Sequence, residues 1–215
     1  MSAIALSRLH FPVTTLGPGR RVGVWLQGCS IQCPGCISPD TWAPGLGVTS
    51  VAETLAAMVA WAPDADGLTV SGGEPFDQPQ ALAALIAGWR TLSNADVLVF
   101  TGYPFTKVSP WLTQNPGLID ALIAEPFEMG ASQTLALRGS DNQTLHILSD
   151  RGARFTAFER IAEAADRRLD VTFDAEGGAW FAGIPARGDF VRFRQAMRAA
   201  GHQIQLSDQT AGAAQ

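Results

Sequence analysis

The sequence predicts an α/β fold: a partial, open parallel β/α barrel with a small C-terminal α/β extension. Two observations carry the main part. Short, nearly continuous apolar runs alternate with amphipathic segments of helical period, the pattern of parallel βα units. Glycine-bearing turns follow the ends of those runs, where parallel α/β folds place their ligands. A third observation, the change of rhythm after Arg151, separates an extension from the core. The expected organisation is a core over residues 1–150, an extension over 151–206 and a small, polar, disordered tail over 207–215.

Arg21 to Gln27 reads as the first strand, and a cysteine loop follows it directly. Ser50 and Glu53 form a capping-box pattern ahead of a helix bearing Val51, Leu55, Met58 and Val59, which Pro63 closes. Gly67 to Ser71 is a short buried strand that runs into Gly72-Gly73-Glu74-Pro75. Asp77 is placed to cap the next helix, with Leu82, Leu85, Ile86 and Trp89 on its apolar face. Asp96 to Thr101 is a third strand, ending at Gly102. Lys107 to Gln114 suits a short helix. Leu118 to Ala124 suits either a strand or a helix, and Thr144 to Leu148 a fifth strand. Further on, Phe158 to Arg168 reads as helical. Leu169–Phe173 and Ala179–Gly183 flank a hairpin turn at Glu176-Gly177-Gly178. Asp189 to Ala200 is an amphipathic helix with Gly201 near its end.

The 215 residues are 47% hydrophobic and 16% charged, with a formal net charge of −5. That composition suits one compact core. No run of Lys and Arg points to nucleic acid. No apolar stretch approaches the ~20 residues of a membrane span, and Met1 to Pro12 lacks the pattern of a signal peptide. Clustered free cysteines fit a reducing cytoplasm, the expected location.

All three cysteines of the chain, Cys29, Cys33 and Cys36, lie in Gly28-Cys29-Ser30-Ile31-Gln32-Cys33-Pro34-Gly35-Cys36. Three thiolates at C-x3-C-x2-C spacing can hold three corners of a cubic iron–sulfur cluster. Most such proteins supply four cysteines, so a missing fourth leaves one iron open for chemistry. Other readings compete. Three cysteines cannot all pair as disulfides, and neighbours this close make poor staples. A Cys3His zinc site would need His10, His146 or His202 to be brought in by folding. No functional role is assigned to those histidines otherwise. Trp25, Trp61, Trp89, Trp111 and Trp180 read as core or interface residues.

The combination of this spacing with Ser71-Gly72-Gly73-Glu74-Pro75, Phe100-Thr101-Gly102-Tyr103 and Arg138-Gly139-Ser140-Asp141-Asn142-Gln143 resembles the radical S-adenosylmethionine enzymes. Leu16-Gly17-Pro18-Gly19-Arg20-Arg21 and Trp25-Leu26-Gln27-Gly28-Cys29 belong to the same match, which spans roughly Thr15 to Leu148. Within that superfamily the chain is most similar to the short activating-enzyme branch, typified by anaerobic ribonucleotide reductase activating proteins, the activases of glycyl-radical enzymes. Neither the Rossmann nor the P-loop glycine pattern is present.

The resemblance implies a [4Fe–4S] cluster held by Cys29, Cys33 and Cys36, with S-adenosyl-L-methionine chelating the open iron. One-electron cleavage would yield a 5′-deoxyadenosyl radical that abstracts hydrogen from a substrate. Gly72, Gly73, Glu74 and Pro75 resemble the segment that meets the methionine amino group, although an ordinary strand-to-helix turn would use the same residues. Thr101, Gly102 and Tyr103 stand where related enzymes contact ribose or methionine; a plain turn is the other reading. Arg138, Asn142 and Gln143 can hold a carboxylate or hydrogen-bond the nucleoside, or form a surface loop with an Asx turn. Ile37 adjoins the last cysteine, where the family flanks adenine, and Trp42 lies just beyond it, with stacking or core packing open to it.

Partners implied are a glycyl-radical enzyme or peptide and an electron donor such as flavodoxin or ferredoxin. Two other functions remain open at this point: a radical enzyme acting on a small molecule or peptide, and a zinc-binding or electron-transfer module without catalysis. The chain continues well past the stretch where a typical ribonucleotide reductase activator stops. That extension has no cysteine and so no auxiliary cluster.

Overall fold

The computed structural model describes residues 2–173 and 178–202. The strands are β1 (Ala3–Val13), β2 (Arg21–Leu26), β3 (Val48–Ser50), β4 (Gly67–Gly72), β5 (Asp96–Phe100), β6 (Ala121–Ala124), β7 (Thr144–Ile147), β8 (Leu169–Phe173) and β9 (Ala179–Gly183). The helices are α1 (Val51–Met58), α2 (Pro79–Leu92), α3 (Phe105–Gln114) and α4 (Asp189–Ala199). One sheet has the order β3-β1-β2-β4-β5-β6-β7, and β8 pairs only with β9. Strands β2, β4, β5 and β6 run parallel. Strand β1 is antiparallel to both β2 and β3, and β7 is antiparallel to β6. The sheet is therefore open, with a parallel centre and antiparallel flanks.

The parallel strands follow one another across the sheet in chain order. Right-handed crossovers then carry their helices to one face. Alternate residues Val22, Val24, Leu26, Leu68, Val70, Val97, Val99 and Leu122 form the core on that face together with Leu82, Leu85, Ile86 and Trp89 of α2. Ser50 and Glu53 make the capping box of α1 as expected.

The opposite face is closed by later parts of the chain. A 3-10 segment over Asp150–Phe158, capped by Ser149, drives Phe155 into contact with Leu98, Ala121, Ile123 and Leu137. Ala182 and Trp180 of β9 pack with Val13, Leu16 and Trp25. Below Phe155 lies a buried polar cluster. Arg21 donates to Asp96 Oδ1 at 2.6 Å, Thr69 Oγ1 at 2.6 Å and the Leu68 carbonyl at 2.8 Å, with its guanidinium 5.2 Å from the Phe155 ring.

Several elements differ from expectation. Strand β1 carries no sequence signal because bulges break its alternation between Leu6 and Arg8 and between His10 and Val13. The short β3 was also not expected. Leu118–Ala124 resolves as a strand over Ala121–Ala124. The strand at Thr144 joins antiparallel rather than extending the parallel set. Phe158 to Arg168 is not one continuous helix: 3-10 turns end at Phe158 and cover Ala164–Arg167, and between them the Ala162 N–H donates to the Thr134 carbonyl and the Arg160 carbonyl accepts from the Ala136 N–H. That extended pairing leaves Ile161 73% exposed, so the spacing that looked amphipathic has no buried face. Gln78, not Asp77, occupies the N-cap of α2. The turn at Glu176-Gly177 and the tail over 207–215 lie outside the described residues, although the strands that flank the turn pair as expected.

Candidate functional site

Every segment singled out near the cysteines leaves the carboxyl end of a parallel strand. The cysteine loop follows β2, Gly73-Glu74-Pro75 follows β4, Thr101-Gly102-Tyr103 follows β5 and Glu125 to Met129 follows β6. The loop is held by the main chain: Gly28 and Cys29 donate to the carbonyls of Thr41 and Trp42, and the Gln27 amide donates to the Ala43 carbonyl at 2.7 Å.

The glycines after β4 have a packing reason. The Glu74 N–H donates to the Gly28 carbonyl at 2.9 Å, and a Cβ on Gly73 would overlap that carbonyl oxygen. Gly72 takes φ +99°, and a Cβ there would stand 2.5 Å from the Leu26 nitrogen. Both positions let the cysteine loop lie directly on the end of β4.

Glu74 is 1% exposed. Its Oε1 accepts from the Phe76 N–H at 2.9 Å and the Thr101 hydroxyl at 2.7 Å, and its Oε2 accepts from the Gly102 N–H at 2.8 Å. The carboxyl thus stitches the end of β4 to the end of β5. Burial pushes its pKa up to about 7 against the pull of those donors. Asp77 is turned to the cysteine loop. It accepts from the Ser30 N–H at 2.8 Å, from the Ser30 hydroxyl at 3.0 Å and from the Tyr103 hydroxyl at 2.6 Å. Lys107 sits 3.2 Å above the Tyr103 ring. The Asp77–Ser30–Tyr103 network escaped sequence reading; its only hint was one exposed acid placed close after Glu74.

Cys29, Cys33 and Cys36 are free thiols, each half-buried. Burial pushes all three above the ordinary thiol range, with Glu74 and Asp77 adding to the rise at Cys29 and Glu74 at Cys33. The Ser38 N–H donates to the Cys36 sulfur at 3.4 Å, and the main-chain N–H groups of Ile31 and Gln32 near Cys29 and of Phe127 near Cys33 oppose the rise. The Trp42 side chain, beside Cys36, opposes the rise there. A site of clustered thiols and acids fits a cationic metal group, whose binding would drive the thiols to thiolates. Among the described residues, no three His, Cys, Asp or Glu side chains come close enough to share one ion. A cube takes one thiolate per iron, and three cysteines at C-x3-C-x2-C spacing on one loop can serve three irons.

The remaining residues of interest hold the rim. Gln143 accepts from the Gly139 N–H at 2.8 Å and donates to the Glu125 carbonyl at 3.2 Å; Asn142 donates to the Pro126 carbonyl at 2.8 Å. They therefore fasten the loop after β6. Arg138 turns inward, 2% exposed, with its guanidinium on the Ala136 and Phe158 carbonyls at 3.0 Å and on Glu159 at 2.5 Å. It is not gathered with the cysteines.

A parallel-centred sheet with three free thiols at its carboxyl edge is the layout of an iron–sulfur α/β enzyme. Residues 15–146 match the family described as 4Fe–4S single cluster domain. The chain is 30% identical over 148 residues to the anaerobic ribonucleoside-triphosphate reductase-activating protein of Salmonella typhimurium, covering 65% of this chain and 96% of that protein. It is 41% identical over 162 residues to the pyruvate formate-lyase-activating enzyme of Listeria monocytogenes, covering 68% of this chain and 65% of that enzyme. Among solved structures, QueE from Escherichia coli aligns with a TM-score of 0.41 at 19% identity, over 46% of this chain and 53% of that one. The chain belongs to the 4Fe–4S single cluster domain family, within the activating-enzyme branch of the radical S-adenosylmethionine enzymes. Its cofactors are accordingly a [4Fe–4S] cluster and S-adenosylmethionine. No helix among the described residues is long and apolar enough to cross a membrane.

Proposed function

We propose that this protein activates a glycyl-radical enzyme, taking a hydrogen atom from a glycine Cα of that partner. When bound, the cluster and S-adenosylmethionine would supply one-electron cleavage of the sulfonium S–C5′ bond and, with it, the capacity to abstract the hydrogen atom. Cys29, Cys33 and Cys36 hold three irons. The main chain of Gly72 to Pro75 borders the methionine end, with the Glu74 carboxyl setting its path rather than reaching the ligand. Thr101, Gly102 and Tyr103 form the adjoining wall, and Asn142 and Gln143 fix the rim opposite. The parallel strands β2, β4, β5 and β6 act as the arc of an opened barrel, with the core to residue 150 carrying the chemistry and the extension over 151–206 supplying Phe155, Trp180 and Ala182 to the inner face. A flavodoxin or ferredoxin class donor supplies the electron.

The observation that carries this reading is the direct joining of the cysteine loop to the ends of β4 and β5, through Glu74 N–H to Gly28 and Asp77 to Ser30 and Tyr103. The relatives named as activating proteins support the choice of substrate. Anaerobic reconstitution tests it. With reductant, the wild type should form 5′-deoxyadenosine and, beside a glycyl-radical enzyme, a backbone radical doublet by EPR. Cys33→Ala should lose both the brown colour and the product. Product without any doublet on a partner would redirect the reading to a small-molecule or peptide substrate. A colourless protein holding one zinc per chain would refute it.

A further inference from the structure

The C-terminal part of the chain reaches back to the cysteines through one side chain. Arg187 lies just after β9, and its guanidinium donates to the Met129 carbonyl at 2.7 Å and to the Glu128 carbonyl at 3.2 Å. The same group stands 6.0 Å from the centre of the Phe127 ring. The main chain around Arg187 is itself held. Its N–H donates to Gln133 Oε1 at 3.1 Å, and the Gln133 amide donates to the Pro185 carbonyl at 2.9 Å. One fork-shaped cation therefore clamps three consecutive residues, 127 to 129, at their carbonyls and a ring face.

Those three residues lie against the cysteine loop. The Phe127 ring edge stands 3.5 Å from where a Cβ on Gly35 would be, between Cys33 and Cys36. Met129 covers Gly35, with Sδ 2.8 Å from where a Cβ on Gly35 would stand. The other side of the loop is fixed by Asn142 on Pro126, Gln143 on Glu125 and the Ser140 hydroxyl accepting from the Glu128 N–H at 3.0 Å. Arg187 closes the remaining side, from a segment beyond the residues 15–146 that match the family.

We infer that Arg187 is a positioning residue of the cluster site: it holds Phe127 and Met129 over Gly35, between Cys33 and Cys36, so the C-terminal extension sets the surroundings of the cysteine loop. The inference rests on Cys33 and Cys36 being cluster ligands. A cation held at the loop between two ligating thiolates stabilises the more negative, reduced cluster and raises its reduction potential. Loss of the clamp should therefore make the cluster harder to reduce.

Two measurements test it separately. In the metal-free, fully reduced protein, Arg187→Ala should speed amide exchange over residues 126–131 by about tenfold or more, while Arg198→Ala on α4 leaves it unchanged. This readout needs no cluster, so it stands even if the proposed activity fails. In the reconstituted protein, Arg187→Ala should lower the reduction potential, and Arg187→Lys, a cation without the fork, should restore only part of it. Should Arg187→Ala not fold, Gln133→Ala, which loosens the main chain beneath Arg187, should move both readouts the same way by less. Unchanged exchange overturns the inference. Faster exchange with an unchanged potential overturns it as well, because Arg187 would then brace a loop with no bearing on the cluster.

Discussion

Replacing Glu74 with Gln separates the ionisation of this carboxyl from its shape. Burial raises the native pKa from 4.5 to about 7. Between those values the native state binds a proton that the unfolded state has released. Stability therefore falls as pH rises through this window, and the full contribution is present only below the unfolded value. The move is worth about 3 kcal/mol, at roughly 1.4 kcal/mol for each pH unit. Gln cannot titrate, so the offset it introduces, whatever its size, stays constant with pH.

The prediction concerns the difference between the two proteins. The stability of the wild type minus that of Glu74→Gln should decline by about 3 kcal/mol between about pH 4 and about pH 8. Urea unfolding of the reduced, metal-free proteins across that range measures it. His10 and His146 are lowered by burial, but they act equally in both proteins and cancel. The three thiols are pushed upward, which keeps them neutral over most of the window. A difference that stays flat, or that grows with pH, would refute the argument, because it would mean that the donors from Phe76, Thr101 and Gly102 outweigh burial.

Gly73→Ala should cost about 3 kcal/mol, because its Cβ would overlap the Gly28 carbonyl oxygen; iron content after reconstitution should fall with it, and full loading would refute the packing account. Asp96→Ala strips the buried Arg21 of its 2.6 Å partner and should destabilise by about 3–5 kcal/mol, read by urea unfolding. Phe155→Ala empties a fully buried site between β5 and β6 and should cost about 3–5 kcal/mol; a loss below about 1 kcal/mol would show that residues 150–158 do not belong to the core.

The parallel centre was legible because its signals are local. Leu68 to Val70 and Val97 to Val99 are buried on both faces and read as continuous apolar runs, and Ser50 and Glu53 cap α1 through neighbours in sequence. The cysteine spacing was legible for the same reason. What failed depends on distant partners. Strand β1 is fixed by pairing with both β2 and β3 despite its bulges. Asp77 looks like a helix cap until Ser30 and Tyr103 arrive from other loops. Arg138, whose fork suits a carboxylate, meets that of Glu159 together with two main-chain carbonyls that only folding brings to it. Propensity and spacing describe what a side chain can do, while tertiary partners decide what it does.

The same logic explains why residues beyond the family match belong to the sheet's own core. Leu98, Ala121 and Ile123 point away from the helix-covered face and are fully buried, and no helix from the βα crossovers can reach them there. Phe155 covers them, Ala182 and Trp180 cover Trp25 and Val13, and Arg154 meets Asp96 at 3.2 Å beneath. Asp170 of β8 accepts from the Thr14 N–H at 2.6 Å and the Thr15 hydroxyl at 3.0 Å, which pins the hairpin to the loop ahead of β2. From that anchored hairpin the chain passes directly to Arg187. The segment that closes the inner face thus also places a guanidinium beside the cysteine loop, and substitutions in the hairpin that weaken its hold on Thr14 and Thr15 should be felt in that loop as well as in the stability of the fold.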